Sequence, residues 1–134
     1  MPLNSGTATI LVVDDEVSLR RLLVRQLQGE GYSVLEAGDG LEALEVARNS
    51  AQPVDLVLSD IVMPGMIGTE LAQRLQAEHP GIQVVLMSAH IVGELARLDR
   101  RWDVPVLQKP FEGGKMLAIV QLMLNAPPLE SEVS

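Results

Sequence analysis

Five short apolar runs, most of them rich in β-branched residues, alternate along this chain with segments whose leucines recur at helical spacing. Thr9-Ile10-Leu11-Val12-Val13 is the first, and Asp14-Asp15-Glu16 ends it abruptly. Such a run suits a strand buried on both faces of a parallel sheet. Leu19, Leu22, Leu23 and Leu27 then mark a helix that Gly29 to Gly31 stops. Ser33 to Ala37 reads as a second strand, and Gly38-Asp39-Gly40 turns into a helix over Leu41 to Ala47. The third strand, Asp55 to Asp60, follows Pro53. Met63 to Gly68 is a loop, because its Pro and Gly residues oppose both helix and strand. A helix from Thr69 to Glu78 ends at Pro80-Gly81. A fourth strand (Ile82 to Met87), a short helix (Val92 to Arg100), a fifth strand (Val104 to Gln108) and a last helix (Gly114 to Asn125) complete the series. Strands alternating with helices in this way predict a three-layer α/β domain, a parallel sheet covered on both faces by right-handed crossovers.

At 134 residues the chain has the length of one domain. The predicted domain runs from residue 8 to 125. Residues 1–7 and 126–134, the latter with Pro127-Pro128 and an acidic end, read as flexible termini or linker. The absence of cysteine removes disulfides, thiolate zinc sites and thiol nucleophiles. Eighteen acidic against ten basic side chains leave a net charge of −8, which opposes nucleic-acid binding by this domain, since phosphate neutralisation needs clustered Lys and Arg. No apolar run has the length of a membrane span, and the polar start lacks the pattern of a signal peptide. The expectation is a cytoplasmic protein with an aliphatic core, given 47% hydrophobic residues and only three aromatics, Tyr32, Trp102 and Phe111.

In open α/β sheets the ligand crevice lies at the carboxyl ends of the strands. The first strand delivers Asp14 and Asp15 there, the third Asp60, the fourth Ser88 and the fifth Lys109. Singly, each has a local reading: an Asp as a helix cap, Ser88 as a turn hydroxyl, Lys109 as a solvated amine. Jointly they describe a site. Three neighbouring carboxylates repel one another unless a cation joins them. Oxygen ligands without His or Cys favour Mg²⁺ over zinc. An ammonium and a hydroxyl facing such a cluster match the needs of a phosphoryl group.

The order Asp14-Asp15, Asp60 with Met63-Pro64 and Gly68, Ser88-Ala89, then Lys109-Pro110-Phe111 resembles the receiver domain of two-component response regulators. The likeness covers residues 8 to 125. It implies a flavodoxin-like fold with strand order 2-1-3-4-5 and helices on both faces. It also implies that Asp60 is the phosphoacceptor, attacking a phosphohistidine donor on a sensor histidine kinase or a histidine phosphotransfer domain. By the same resemblance Asp15 binds Mg²⁺ directly, Asp14 acts mostly through water, and the Val62 backbone carbonyl is a further ligand. Ser88 bonds a phosphoryl oxygen and shifts its loop and the following helix, while Lys109 pairs with the phosphate. The Lys109–Pro110 bond is expected to be cis.

The chain departs from many receivers at Val106, where they carry a Tyr or Phe that swings inward on activation. Val62 and His90 flank the expected phosphoryl position: Val62 sheds water, and His90 is either a water-bonding group or an exposed helix-start residue. The last helix is apolar around more of its circumference than one buried stripe needs. It is read either as covered by the tail or as a surface for a partner or a second protomer.

Other functions fit less well. An aspartate-nucleophile phosphohydrolase would place Asp-x-Asp after the first strand and needs room for a cap domain. A flavin-binding domain would place a Ser-, Thr- and Gly-rich phosphate loop where two carboxylates stand. A pseudo-receiver acting only as an interaction module would not need all five site residues.

Overall fold

The computed structural model describes residues 8–89 and 104–125. Along the chain these form β1 (Thr9–Val13), α1 (Val17–Gly29), β2 (Ser33–Ala37), α2 (Gly40–Asn49), β3 (Leu56–Asp60), α3 (Gly68–Glu78), β4 (Gln83–Ser88), β5 (Val106–Gln108) and α4 (Gly113–Asn125). The short helix expected over Val92 to Arg100, with His90, and the expected flexible termini lie outside the described residues. The strands make one five-stranded parallel sheet in the order β2-β1-β3-β4-β5. This is the flavodoxin-like order, with its switch point between β1 and β3.

Alternation along the strands sorts side chains to the two faces of the sheet. Leu11, Val13, Val57 and Leu86 pack on one face beneath Ala43, Leu44 and Ala47 of α2 and Leu71, Ala72 and Leu75 of α3. Ile10, Val12, Leu58, Val85 and Met87 pack on the other beneath Leu23 and Leu27 of α1 and Met116 and Val120 of α4. The helices thus form two outer layers, and β1 and β3 are buried along their whole length. The edge strand β2 is only partly covered, with Ser33 and Glu36 exposed.

Local chemistry sets the helix starts. Asp39 caps α2 by accepting from the Glu42 N–H at 2.8 Å, and the Glu42 carboxylate accepts from the Gly38 N–H at 2.6 Å. The first bond satisfies a backbone donor that the first turn leaves free, and the second ties the residue before the cap to the helix. In the loop after β3, Gly65 has a φ of +85°, a region that glycine enters without steric cost. The Gly68 N–H then donates to the Ile61 carbonyl at 2.7 Å, closing the loop onto the end of β3.

Gly68 is also a close-approach position. A Cβ there would collide with the Asp60 carbonyl oxygen and stand 2.8 Å from Ile61 Cα, both backbone atoms that cannot swing aside. Gly68→Ala is therefore expected to cost about 1–3 kcal/mol, the range for overpacking a tight contact. Urea unfolding monitored by circular dichroism measures it. Because the displaced atoms belong to Asp60 and Ile61, the same substitution should disturb the site described next.

Candidate functional site

The polar residues at the strand ends meet at the carboxyl edge of β1, β3, β4 and β5. Asp14 follows β1 and is fully buried. Asp60 closes β3 and is 8% exposed, and Ser88 closes β4 and is 1% exposed. Lys109 follows β5, anchored by its backbone N–H donating to the Ser88 carbonyl at 2.6 Å. The Lys109–Pro110 bond is cis. The Lys109 ammonium donates to Asp14 Oδ2 at 3.0 Å and to Asp60 Oδ2 at 3.1 Å, a bridge between the ends of β1 and β3. Its side chain is 15% exposed, those of Asp14 and Asp60 0% and 12%, so the bridge is largely shielded from water.

Burial pushes the Asp60 carboxyl above the usual carboxylate range, against the lowering influence of the Lys109 ammonium. The Asp14 charge adds to the rise, and the Val62 backbone amide opposes it. Lys109 is shifted upward as well: burial lowers it, but the Asp14 and Asp60 carboxylates outweigh that. Each shift is the response expected of charges packed together in a low-dielectric site.

Asp15 completes the cluster. One carboxylate oxygen from each of Asp14, Asp15 and Asp60 lies within 4.8 Å of the others. Asp14 is committed on both oxygens, since Oδ1 accepts from the Glu16 N–H at 2.9 Å and Oδ2 from Lys109. Asp15 is exposed, and its carboxylate makes no hydrogen bond among the described residues. An all-oxygen donor set of this kind fits a hard divalent cation that retains several waters, as Mg²⁺ does.

Asp14, Asp15, Asp60, Ser88 and Lys109 thus stand at one edge of the sheet. Val62 lies two residues beyond Asp60 and is 51% exposed. Val106 occupies β5, half-buried against the α2–α3 core, with an aliphatic side chain at the position noted above. Two contributors were missed by the sequence reading. The Arg20 guanidinium donates from Nη1 to the Asp14 backbone carbonyl at 2.9 Å, and from Nε to Glu36 Oε1 at 2.8 Å. An arginine on a helix and a glutamate on a strand carry no mark of such a role in sequence.

The last helix is less bare than its composition suggests. Leu117, Ile119, Met123 and Leu124 pack around the buried Met116 and Val120, and the Met123 carbonyl accepts from Gln83 Nε2 at 2.7 Å. Leu122 stands out at 70% exposed. No helix among the described residues is long and apolar enough to cross a membrane.

A model of the response regulator receiver domain matches residues 10–121. The chain is 40% identical over 122 residues to the sensor kinase CckA of Brucella abortus, covering 90% of this chain and 13% of that one. It is 36% identical over 106 residues to sporulation initiation phosphotransferase F of Bacillus subtilis, covering 77% of this chain and 82% of that protein. The lengths spanned thus differ widely, from a small part of the kinase to most of the phosphotransferase. Among solved structures, the receiver domain of the hybrid histidine kinase CckA superposes with a TM-score of 0.75 at 32% identity, over 88% of this chain and all of that one. The response regulator TrrA of Thermotoga maritima, in complex with Mg²⁺ and BeF, superposes with a TM-score of 0.74 at 33% identity, over 87% of this chain and 99% of that one. With acidic, hydroxyl and amine groups gathered at the sheet edge and a family match over most of its length, the chain belongs to the response regulator receiver domain family.

Proposed function

We propose that this domain accepts a phosphoryl group on Asp60 and passes the change on as a conformational signal, without turning over an external substrate. The observation that carries the reading is the Lys109 ammonium between the Asp14 and Asp60 carboxylates, with an Asp15 oxygen beside them. It supplies an anionic nucleophile and a positive group already aimed at the place where phosphoryl charge develops. Asp15 and Asp60, with Asp14 through water and the Val62 carbonyl, would hold Mg²⁺. When bound, Mg²⁺ adds positive charge facing the phosphoryl oxygens.

The chemistry balances without redox change. An Asp60 carboxylate oxygen attacks phosphorus in line with the P–N bond of a phosphohistidine. A P–O bond forms, the P–N bond breaks, and the imidazole leaves with its electron pair and takes up a proton. Lys109 moves its contact from the Asp60 carboxylate toward the new phosphoryl oxygens, and the Ser88 hydroxyl accepts the role of a second donor to them. With Val106 on β5, the switch runs through Ser88 rather than through an aromatic ring. The donor is a sensor histidine kinase or a histidine phosphotransfer domain. A partner or second protomer meeting α4 would find Ala118, Gln121, Leu122 and Asn125.

Incubation with acetyl phosphate and Mg²⁺ tests the reading by intact mass. The expected result is one added phosphoryl group, absent when EDTA is present. Unchanged mass under both conditions contradicts it, and repeated release of phosphate from an ester would favour the phosphohydrolase instead.

A further inference from the structure

Arg20 reaches from the first turns of α1 to the backbone beneath the acidic cluster. Its Nη1 donates to the Asp14 carbonyl at 2.9 Å, and its Nε to Glu36 at the end of β2 at 2.8 Å. The side chain is 15% exposed, and that of Glu36 39%. Gly38 leaves room for the guanidinium, since a Cβ there would stand 3.3 Å from Nη1. The planar fork is therefore pinned at two points with its orientation set.

What this pinning controls follows from peptide geometry. The Asp14 carbonyl and the Asp15 nitrogen belong to one rigid plane, so anchoring that oxygen fixes the plane from which Asp15 projects. The rest of Asp14 is already held. Its N–H donates to the Ala37 carbonyl at 3.2 Å, Oδ1 accepts from Glu16, and Oδ2 accepts from Lys109. Asp15 has no such support: its carboxylate is exposed and makes no hydrogen bond among the described residues. Its direction is inherited from the backbone.

We infer that Arg20, braced by Glu36, is a positioning residue that fixes the Asp14–Asp15 peptide and so presents the Asp15 carboxylate to Mg²⁺. This rests on the metal reading above. A strut serving stability alone would leave metal affinity untouched. A purely electrostatic role gives the opposite sign, because removing a cation near three carboxylates strengthens their attraction for Mg²⁺. Positioning requires that binding weaken when this cation is removed.

Calorimetric titration of the full chain with MgCl₂ separates these cases. Arg20→Met is expected to bind Mg²⁺ about tenfold more weakly, the low end for loss of an outer-shell partner of a metal ligand. Arg20→Lys, which keeps the charge and one donor, should recover part of the loss. Glu36→Gln, which leaves Arg20 unbraced, should weaken binding in the same direction by less. Wild-type or tighter affinity in Arg20→Met overturns the inference. Should that variant fail to fold by circular dichroism, unchanged affinity in Glu36→Gln overturns it equally. A wild-type chain that binds no Mg²⁺ defeats the metal reading itself, and the inference with it.

Discussion

Asp60→Asn is expected to abolish phosphoryl incorporation from acetyl phosphate while leaving the domain folded. The substitution keeps the shape of the side chain and removes the anionic oxygen that would bond to phosphorus. An amide oxygen or nitrogen is too weak a nucleophile to replace it. The structure indicates that stability will not suffer in proportion. Burial pushes the Asp60 carboxyl upward, so its ionised form is disfavoured by the fold, and a neutral amide escapes that penalty. Lys109 keeps Asp14 as a partner. Intact mass should therefore show no added phosphoryl group, and the urea midpoint should hold or rise. A collapsed midpoint would mean that Asp60 is chiefly a structural ion-pair member.

The second large effect concerns Lys109, whose removal should pull stability and metal binding in opposite directions. Lys109→Met leaves the Asp14 and Asp60 carboxylates facing each other without the ammonium that now lies 3.0 and 3.1 Å away. Leaving a buried charge without its partner costs about 3–5 kcal/mol. Here proton uptake by one carboxyl and residual water access reduce the expected loss to about 2–3 kcal/mol, discounted from that range. Mg²⁺ should restore much of it. The metal no longer competes with an ammonium for the same oxygens, and a ligand at a hundred times its dissociation constant adds about 2.7 kcal/mol. Phosphorylation should still fall by about 10²-fold, since a preorganised positive group at the developing charge is lost. Urea unfolding with and without Mg²⁺, together with the rate of mass gain, checks all three. Equal Mg²⁺ stabilisation of wild type and variant would show that Lys109 and the metal do not share the site.

Much of this architecture was legible in the chain. The runs at Thr9–Val13 and Leu56–Asp60 are apolar throughout because both faces of β1 and β3 are covered, and that continuity announces a central parallel strand. The boundaries shifted only at the margins. Val104 and Pro105 precede β5 rather than opening it, and Ser88 belongs to β4 as its last residue. The strand order is implied by the family resemblance, because periodicity places residues on faces and says nothing of which strand lies beside which.

The candidate site is legible for a simpler reason: strand ends in a parallel sheet share one edge, so Asp14, Asp15, Asp60, Ser88 and Lys109 group together by position alone. What sequence could not show was the wiring. Lys109 is assigned to the phosphate by resemblance, yet in the structure it spans two carboxylates separated from it by 95 and 49 residues. Arg20 and Glu36 lie on elements whose polar residues ordinarily face solvent, and only the approach of Arg20 to the Asp14 carbonyl, with Glu36 holding its guanidinium, distinguishes them. Most of the apolar excess of α4 likewise dissolves into packing against the α1-side core, with Ala118 and Leu122 left exposed.

Locating the phosphoryl group decides the matter most directly. After treatment with acetyl phosphate and Mg²⁺, borohydride reduction converts an aspartyl phosphate to homoserine, and peptide mass spectrometry then reads the modified position. The expected product carries homoserine at residue 60 and nowhere else. Homoserine at residue 14 or 15, or a borohydride-resistant phosphate on a serine or threonine, would contradict the assignment of Asp60 as the acceptor.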